Sequence, residues 1–312
     1  MARIRTPNPD AIYFKNRMEN IQNAKKQIKM MEEDPIASSL TKWSIEHSKF
    51  FRSINRECLD CCALVNYETN HKIYAIPEST VNAIFRPGDP ATRHDVVLNF
   101  ADFKTPGGMF LEGSMAQEES LCHSSNLYNI LSSKGEFLEH YERNAGIMDA
   151  CANTMYSSAS IYVPSVFFKK NGKSTCADVI VLAAPNNRRR KHQNSEIRDI
   201  SEENYRLILQ MRIESIFKTA YKYFQINNKI TKGNLNHFSA TPDGEEIPEK
   251  NCLILGAFGC GVFRNDPNLV SKIMVDCINN GYGNMFDEII FAIPPGENFD
   301  IFNRAIIEGI KF

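Results

Sequence analysis

The chain has 312 residues, 43% of them hydrophobic, and a formal net charge of −1. That is enough apolar sequence for one large packed domain or two small ones, and it excludes wholesale disorder. General attraction to nucleic acid or to an anionic membrane is not expected at this charge, and no apolar run reaches the roughly 18–20 residues that span a bilayer.

The N-terminus, MARIRTPNPD, shows no apolar signal segment. The nine cysteines are an odd number, so reduced thiols are the default reading. The expected location is cytoplasmic, or nuclear in a eukaryotic cell. Cys58, Cys61 and Cys62 form a CxxCC cluster without a second pair at metal-ligand spacing. Half-buried helical thiols suit it better than zinc, which takes four ligands in structural sites. The seven histidines form no HxxxH or HxH pair, and no metal site is expected.

In chain order, residues 10–34 are polar and helix-prone, and Pro35 stops them. A second helix is predicted over Ser39–Cys62, carrying Trp43, and residues 1–65 together read as a helical N-terminal extension. Strand-like runs follow at Lys72–Ile76, Asp95–Phe100, Ser160–Val163, Asp178–Ala183, Cys252–Leu255 and Glu288–Ile293. Several are continuous apolar runs, the pattern of strands buried on both faces. Helices are predicted over Glu118–Ser132, Glu202–Phe224, Pro267–Asn280 and Phe299–Gly309; the third opens on proline and stops before Gly281. Residues 186–195, with the basic run Arg188–Lys191, and residues 232–250 read as exposed loops. Alternating strands and helices predict a three-layer α/β/α sandwich, in which ligands bind outside the carboxyl ends of the strands.

Two glycine-bearing junctions sit at such ends. Residues 99–119 read NFADFKTPGGMFLEGSMAQEE. An apolar strand runs into Pro106-Gly107-Gly108, and Gln117, Glu118 and Glu119 follow. Glycines let backbone approach a ligand where a Cβ would collide, and adjacent carboxylates beside such a turn suit acid/base work. A plainer reading is an acidic first helical turn favoured by the helix dipole. Asn99 could hydrogen-bond a sugar hydroxyl or cap the turn. The second junction, GAFGCGVFRNDP from Gly256, joins a strand to a helix starting near Asp266 or Pro267. Its glycines allow successive N–H groups to face one concavity, and a diphosphate is the natural guest, with the helix N-terminus adding its dipole. The plainer reading is a tight connection with no ligand. It is neither a P-loop nor a dinucleotide-binding fingerprint.

The blocks NFAxxxxPGG, AQEESLCHSS and GAFGCGVFRNDP, in that order, resemble the microbial-type poly(ADP-ribose) glycohydrolase catalytic domain of the macrodomain superfamily. AAPNN, Ala183–Asn187, is similar as well. The resemblance implies an α/β fold: a macrodomain-like three-layer sandwich with a mixed central sheet, spanning 66–312, on which the extension packs. It implies hydrolysis of the ribose–ribose O-glycosidic bond of poly(ADP-ribose), releasing ADP-ribose without a cofactor. Glu119 would be the catalytic acid/base and Glu118 would hold ribose hydroxyls. ADP-ribose would be bound by Asn99, Gly107, Gly108, Met109 and Gln117 from the early block. Gly256, Ala257, Phe258, Gly259, Cys260 and Gly261 would form the late loop around the diphosphate, with Val262 and Phe263 positioning the distal ribose. Partners would be ADP-ribose polymer or an ADP-ribosylated protein, and a monomer is expected. Met109 stands where the family's glycine run has a third glycine. A methionine that narrows the pocket would instead make the protein an ADP-ribose reader, or a hydrolase of mono-ADP-ribosylated protein.

Overall fold

The computed structural model describes residues 9–52, 71–88, 93–151, 155–187, 201–234 and 250–311. Two helices open it, α1 (Pro9–Glu33) and α2 (Pro35–His47). Asp34 caps α2, accepting from the Ile36 and Ala37 amides, and Pro35 takes the first helical position. Lys169 Nζ bonds Asp34 Oδ2 at 2.9 Å, so the start of α2 is pinned to the sheet.

The helix predicted over Ser39–Cys62 is shorter than expected. It ends at His47, and strand β1 (Lys49–Phe51) follows at once and pairs with β4 (Ser160–Lys170). Edge pairing outcompetes further helix there. The three cysteines of the CxxCC cluster and the basic run Arg188–Lys191 lie outside the described residues.

The remaining strands are β2 (Lys72–Ile76), β3 (Arg93–Phe100), β5 (Lys173–Leu182), β6 (Lys250–Leu255) and β7 (Glu288–Ala292). They form one seven-stranded mixed sheet in the order β1-β4-β5-β3-β6-β7-β2. β1, β4 and β5 pair antiparallel, and β5, β3, β6, β7 and β2 pair parallel.

Neighbouring residues along each strand bury on opposite faces. Val96, Leu98, Ile180 and Leu182 face α7 (Glu202–Asn234), α8 (Pro267–Asn279) and α9 (Glu297–Gly309). Val97, Val179, Val181 and Ile254 face a second layer: α3 (Thr80–Ile84), α4 (Gln117–Cys122), α5 (Leu127–Leu131) and α6 (Glu136–Cys151). Each such side chain taken from water contributes about 1.5–3 kcal/mol, which is why continuous apolar runs mark these strands.

The helix predicted over Glu118–Ser132 is two short helices. Ser124 and Asn126 exchange backbone bonds with Lys169 and Phe167 of β4, at 2.8 and 3.1 Å, and this pairing interrupts the helix. The five parallel strands all end on one side, where the two glycine junctions emerge.

Candidate active site

β3 keeps its register with β6 only as far as Val97–Ile254. Beyond that point the Gln117 carboxamide takes the place of a strand partner. Its Nε2 donates to the Leu98 carbonyl at 2.8 Å, and its Oε1 accepts from the Phe100 amide at 2.9 Å. The same Nε2 reaches Thr80 Oγ1 at 3.2 Å. Gln117 therefore fixes the start of α4 against the end of β3 and carries the two following carboxylates to the strand ends.

Both carboxylates are buried, Glu118 at 3% and Glu119 at 6% exposure, unlike an ordinary acidic first turn. Glu118 accepts from Asn99 Nδ2 at 3.1 Å and from the Asp102 amide at 2.6 Å. Burial pushes its pKa well above the usual carboxylate range, against the pull of those two donors. Glu119 Oε1 accepts from the Met109 amide at 3.0 Å.

The glycine turn between them is built by its own residues. Asp102 Oδ1 accepts from the Lys104 and Thr105 amides at 2.9 and 2.7 Å, and the Gly108 amide returns to the Thr105 carbonyl. Gly107 and Gly108 both have positive φ, +68° and +59°. Phe110, fully buried, anchors the far side against His123 and Tyr128.

The late loop closes the opposite wall. Asn265, buried at 2%, donates its amide to the Gly259 carbonyl at 3.1 Å and accepts the Tyr205 hydroxyl of α7 at 2.7 Å. A Cβ at Gly259 would overlap Asn265 Nδ2 and sit 2.5 Å from the Ala184 Cβ. Gly261 faces open space. The helix that follows does not offer a bare N-terminus: Asp266 caps α8, accepting from the Asn268 amide at 2.9 Å.

The two junctions share one cleft of about 670 Å³. Of the residues expected to bind ligand, Gly108, Met109, Gln117, Glu118, Glu119, Ala257, Gly259, Gly261, Val262 and Phe263 line it. The other five stand behind its wall. Asn99 is fully buried beneath Glu118, to which its Nδ2 donates. Gly107 packs on Tyr128 and Cys122. A Cβ at Gly256 would lie 2.9 Å from the Ala292 carbonyl and 3.0 Å from the Phe100 ring. Phe258 sits in the core, edge-on to Phe100, and Cys260 is half-buried against the same core. Met109 lines the cleft at its rim: the residue is 53% exposed, and its amide holds Glu119.

Several lining and supporting residues carry no sequence signal. Ser79 and Thr80 enter from the cap and first residue of α3, and residues 292–298 from the end of β7. Tyr156, with φ +60°, stacks on Phe103 at 4.3 Å and meets Phe263 edge-on. Arg212 of α7, fully buried, donates to the carbonyls of Met155, Tyr156 and Ala183. The AAPNN stretch ties these together: Asn186 Nδ2 donates to the Tyr156 hydroxyl at 2.8 Å, and Asn187 Nδ2 to the Arg264 carbonyl at 3.1 Å. Among the described residues, no group of three or more His, Cys, Asp or Glu side chains could hold a metal ion.

The family model described as "Microbial-type PARG, catalytic domain" matches residues 15–171, half of the chain. Curated proteins give no match. Among solved structures, poly(ADP-ribose) glycohydrolase from Thermomonospora curvata is similar with a TM-score of 0.71 at 22% identity, covering 92% of this chain and 99% of that one. The same enzyme bound to the inhibitor ADP-HPD gives 0.67 at 23%, covering 93% and 100%. Poly(ADP-ribose) glycohydrolase from Deinococcus radiodurans in complex with ADP-ribose gives 0.66 at 22%, covering 86% and 97%. At these identities the likeness establishes the fold.

Proposed function

The chain belongs to the microbial-type poly(ADP-ribose) glycohydrolase catalytic-domain family, and we propose that in this glycohydrolase Glu119 is the acid and base of the reaction. ADP-ribose at a polymer end occupies the 670 Å³ cleft, its diphosphate against the amides of the Gly259–Gly261 loop. The Glu119 carboxylic acid donates its proton to the ribose oxygen that leaves. The glycosidic C–O bond breaks with its electron pair on that oxygen, leaving an oxocarbenium-like sugar. Water then adds to the sugar carbon, and the Glu119 carboxylate takes the water's proton, which restores the acid. Glu118, fixed by Asn99 and Asp102, shapes the floor beside it.

The observation that carries this reading is convergence. Glu119, from the early block, and Gly261, from the late one, line the same cleft. The reading as an ADP-ribose reader rests on Met109, and the exposed position of that side chain leaves the Glu119 contact intact. Replacing Glu119 with Gln tests the role. ADP-ribose affinity should stay within about tenfold, or 1.4 kcal/mol, while polymer hydrolysis disappears. Undiminished cleavage by Glu119→Gln would remove Glu119 from the mechanism.

A further inference from the structure

The N-terminal helix α1 packs across the catalytic loop with one face. Arg17 Nε donates to the Glu112 carbonyl at 2.8 Å, and Asn20 Nδ2 to the Gly113 carbonyl at 3.1 Å. The approach is close: a Cβ at Gly113 would lie 2.5 Å from the Arg17 carbonyl and 3.1 Å from Ile21. A turn or two further on, Ala24 is fully buried and Gln27 Nε2 donates to the Ser125 carbonyl at 3.1 Å. Asn129 Nδ2 returns a bond to the Ile28 carbonyl. Helical spacing puts these residues on one stripe, which runs from the glycine loop to the break between α4 and α5.

What α1 holds is connected to the proposed acid by hydrogen bonds. The amides of Glu112 and Ser114, on either side of Gly113, both donate to the Met109 carbonyl at 3.1 Å. The amide of that same Met109 donates to Glu119 Oε1. The path from α1 to the carboxyl is therefore Arg17 and Asn20, the 112–114 turn, Met109, Glu119. The loop has no strand or long helix of its own to fix it, and a donor displaced by about 1 Å at an acid can cost about a hundredfold in rate.

We propose that α1 belongs to the catalytic machinery, with Arg17 and Asn20 as positioning residues that fix Glu119 through the Met109 amide. This rests on Glu119 acting as the acid and base. Both side chains lie partly at the surface, where truncation leaves most folds intact.

Arg17→Ala and Asn20→Ala are compared with Lys26→Ala, which is exposed on the same helix. Three quantities are read: kcat on polymer, ADP-ribose Kd, and amide hydrogen exchange over residues 107–116. The expected result for the clamp variants is a fall in kcat of about tenfold to a hundredfold, Kd within about threefold, and faster exchange in that loop. Lys26→Ala should change none of them. Wild-type kcat in Arg17→Ala and Asn20→Ala overturns the proposal, whether or not exchange rises. A uniform loss of melting temperature with unchanged kcat per folded molecule overturns it in favour of a purely structural helix. If Glu119→Gln remains active, the acid assignment fails by itself, while loop exchange still reports the clamp. Should Arg17→Ala not fold, Asn20→Ala, which removes a single bond, carries the same test.

Discussion

A Cβ on Gly108 would lie 2.7 Å from Glu119 Oε1 and 3.1 Å from Glu118 Oε2. The glycine is thus the wall against which both acids rest. Its φ of +59° also places it where an L side chain costs about 1–2 kcal/mol. Gly108→Ala should lower the melting temperature by a few degrees and reduce kcat by about a hundredfold, because the added methyl displaces the Glu119 carboxyl. Steady-state kinetics and a thermal melt check it; wild-type kcat would mean that the acid does not work from this position.

Glu118 has a pH signature. Burial raises its folded-state pKa, with the Asp102 and Asn99 donors opposing, so the folded chain keeps this proton to higher pH than the unfolded chain does. Between the unfolded value of about 4.3 and the raised folded value, the native state binds more protons. Stability must then fall as pH rises, by up to about 1.4 kcal/mol per unit. Below that window both states are protonated and the group contributes no slope. Glu118→Gln removes the cost of burying charge. Asn99 Oδ1, buried without a partner, can accept from the new amide once the Asn99 carboxamide turns over. The variant should melt above wild type at pH 8, and the gap should close towards pH 4. A lower melting temperature at pH 8 contradicts this.

The central strands were legible because burial on both faces writes itself into β3, β6 and β7 as unbroken apolar runs. The two glycine junctions were legible for a similar reason: the residue types needed for close backbone approach are few. What stayed hidden depends on strand order. Ser79, Thr80 and residues 292–298 reach the cleft because β2 and β7 lie beside β6, and pairing order is not written in local pattern. The bond from Asn99 to the buried acid above it was hidden too, since local pattern gives only its place beside the glycine turn. The break at Ser124–Asn126 answers to β4, some 40 residues further on.

Among the described residues lining the cleft, the ionisable side chains are Asp102, Glu118, Glu119 and Glu297, with no Lys, Arg or His. A diphosphate held by loop amides instead of cations gains little from long-range attraction, and salt screens mainly such attraction. ADP-ribose Kd should therefore change by less than about threefold between 0.05 and 0.5 M NaCl, measured by calorimetry at constant pH. A steep salt dependence would mean that cations outside this lining take part.

Arg212 gives the last prediction. It is fully buried and, among the described residues, has no acidic partner; its guanidinium instead holds the Ala183 carbonyl at 2.9 Å, the Tyr156 carbonyl at 3.0 Å, the Met155 carbonyl and Ser158 Oγ. Those acceptors lie along two segments that shape the cleft. Ala183 precedes Ala184, which borders Gly259, and Tyr156 supports Phe263. A planar fork reaches all four at once, whereas a lysine ammonium is a single point with three donors. Arg212→Lys leaves buried carbonyls unpaired, at about 1–3 kcal/mol for each one lost. The melting temperature should drop by several degrees. ADP-ribose affinity should weaken too, because the Tyr156–Phe263 contact loosens with its anchor. Affinity at wild-type level in a destabilised Arg212→Lys would show that Phe263 keeps its place without this anchor.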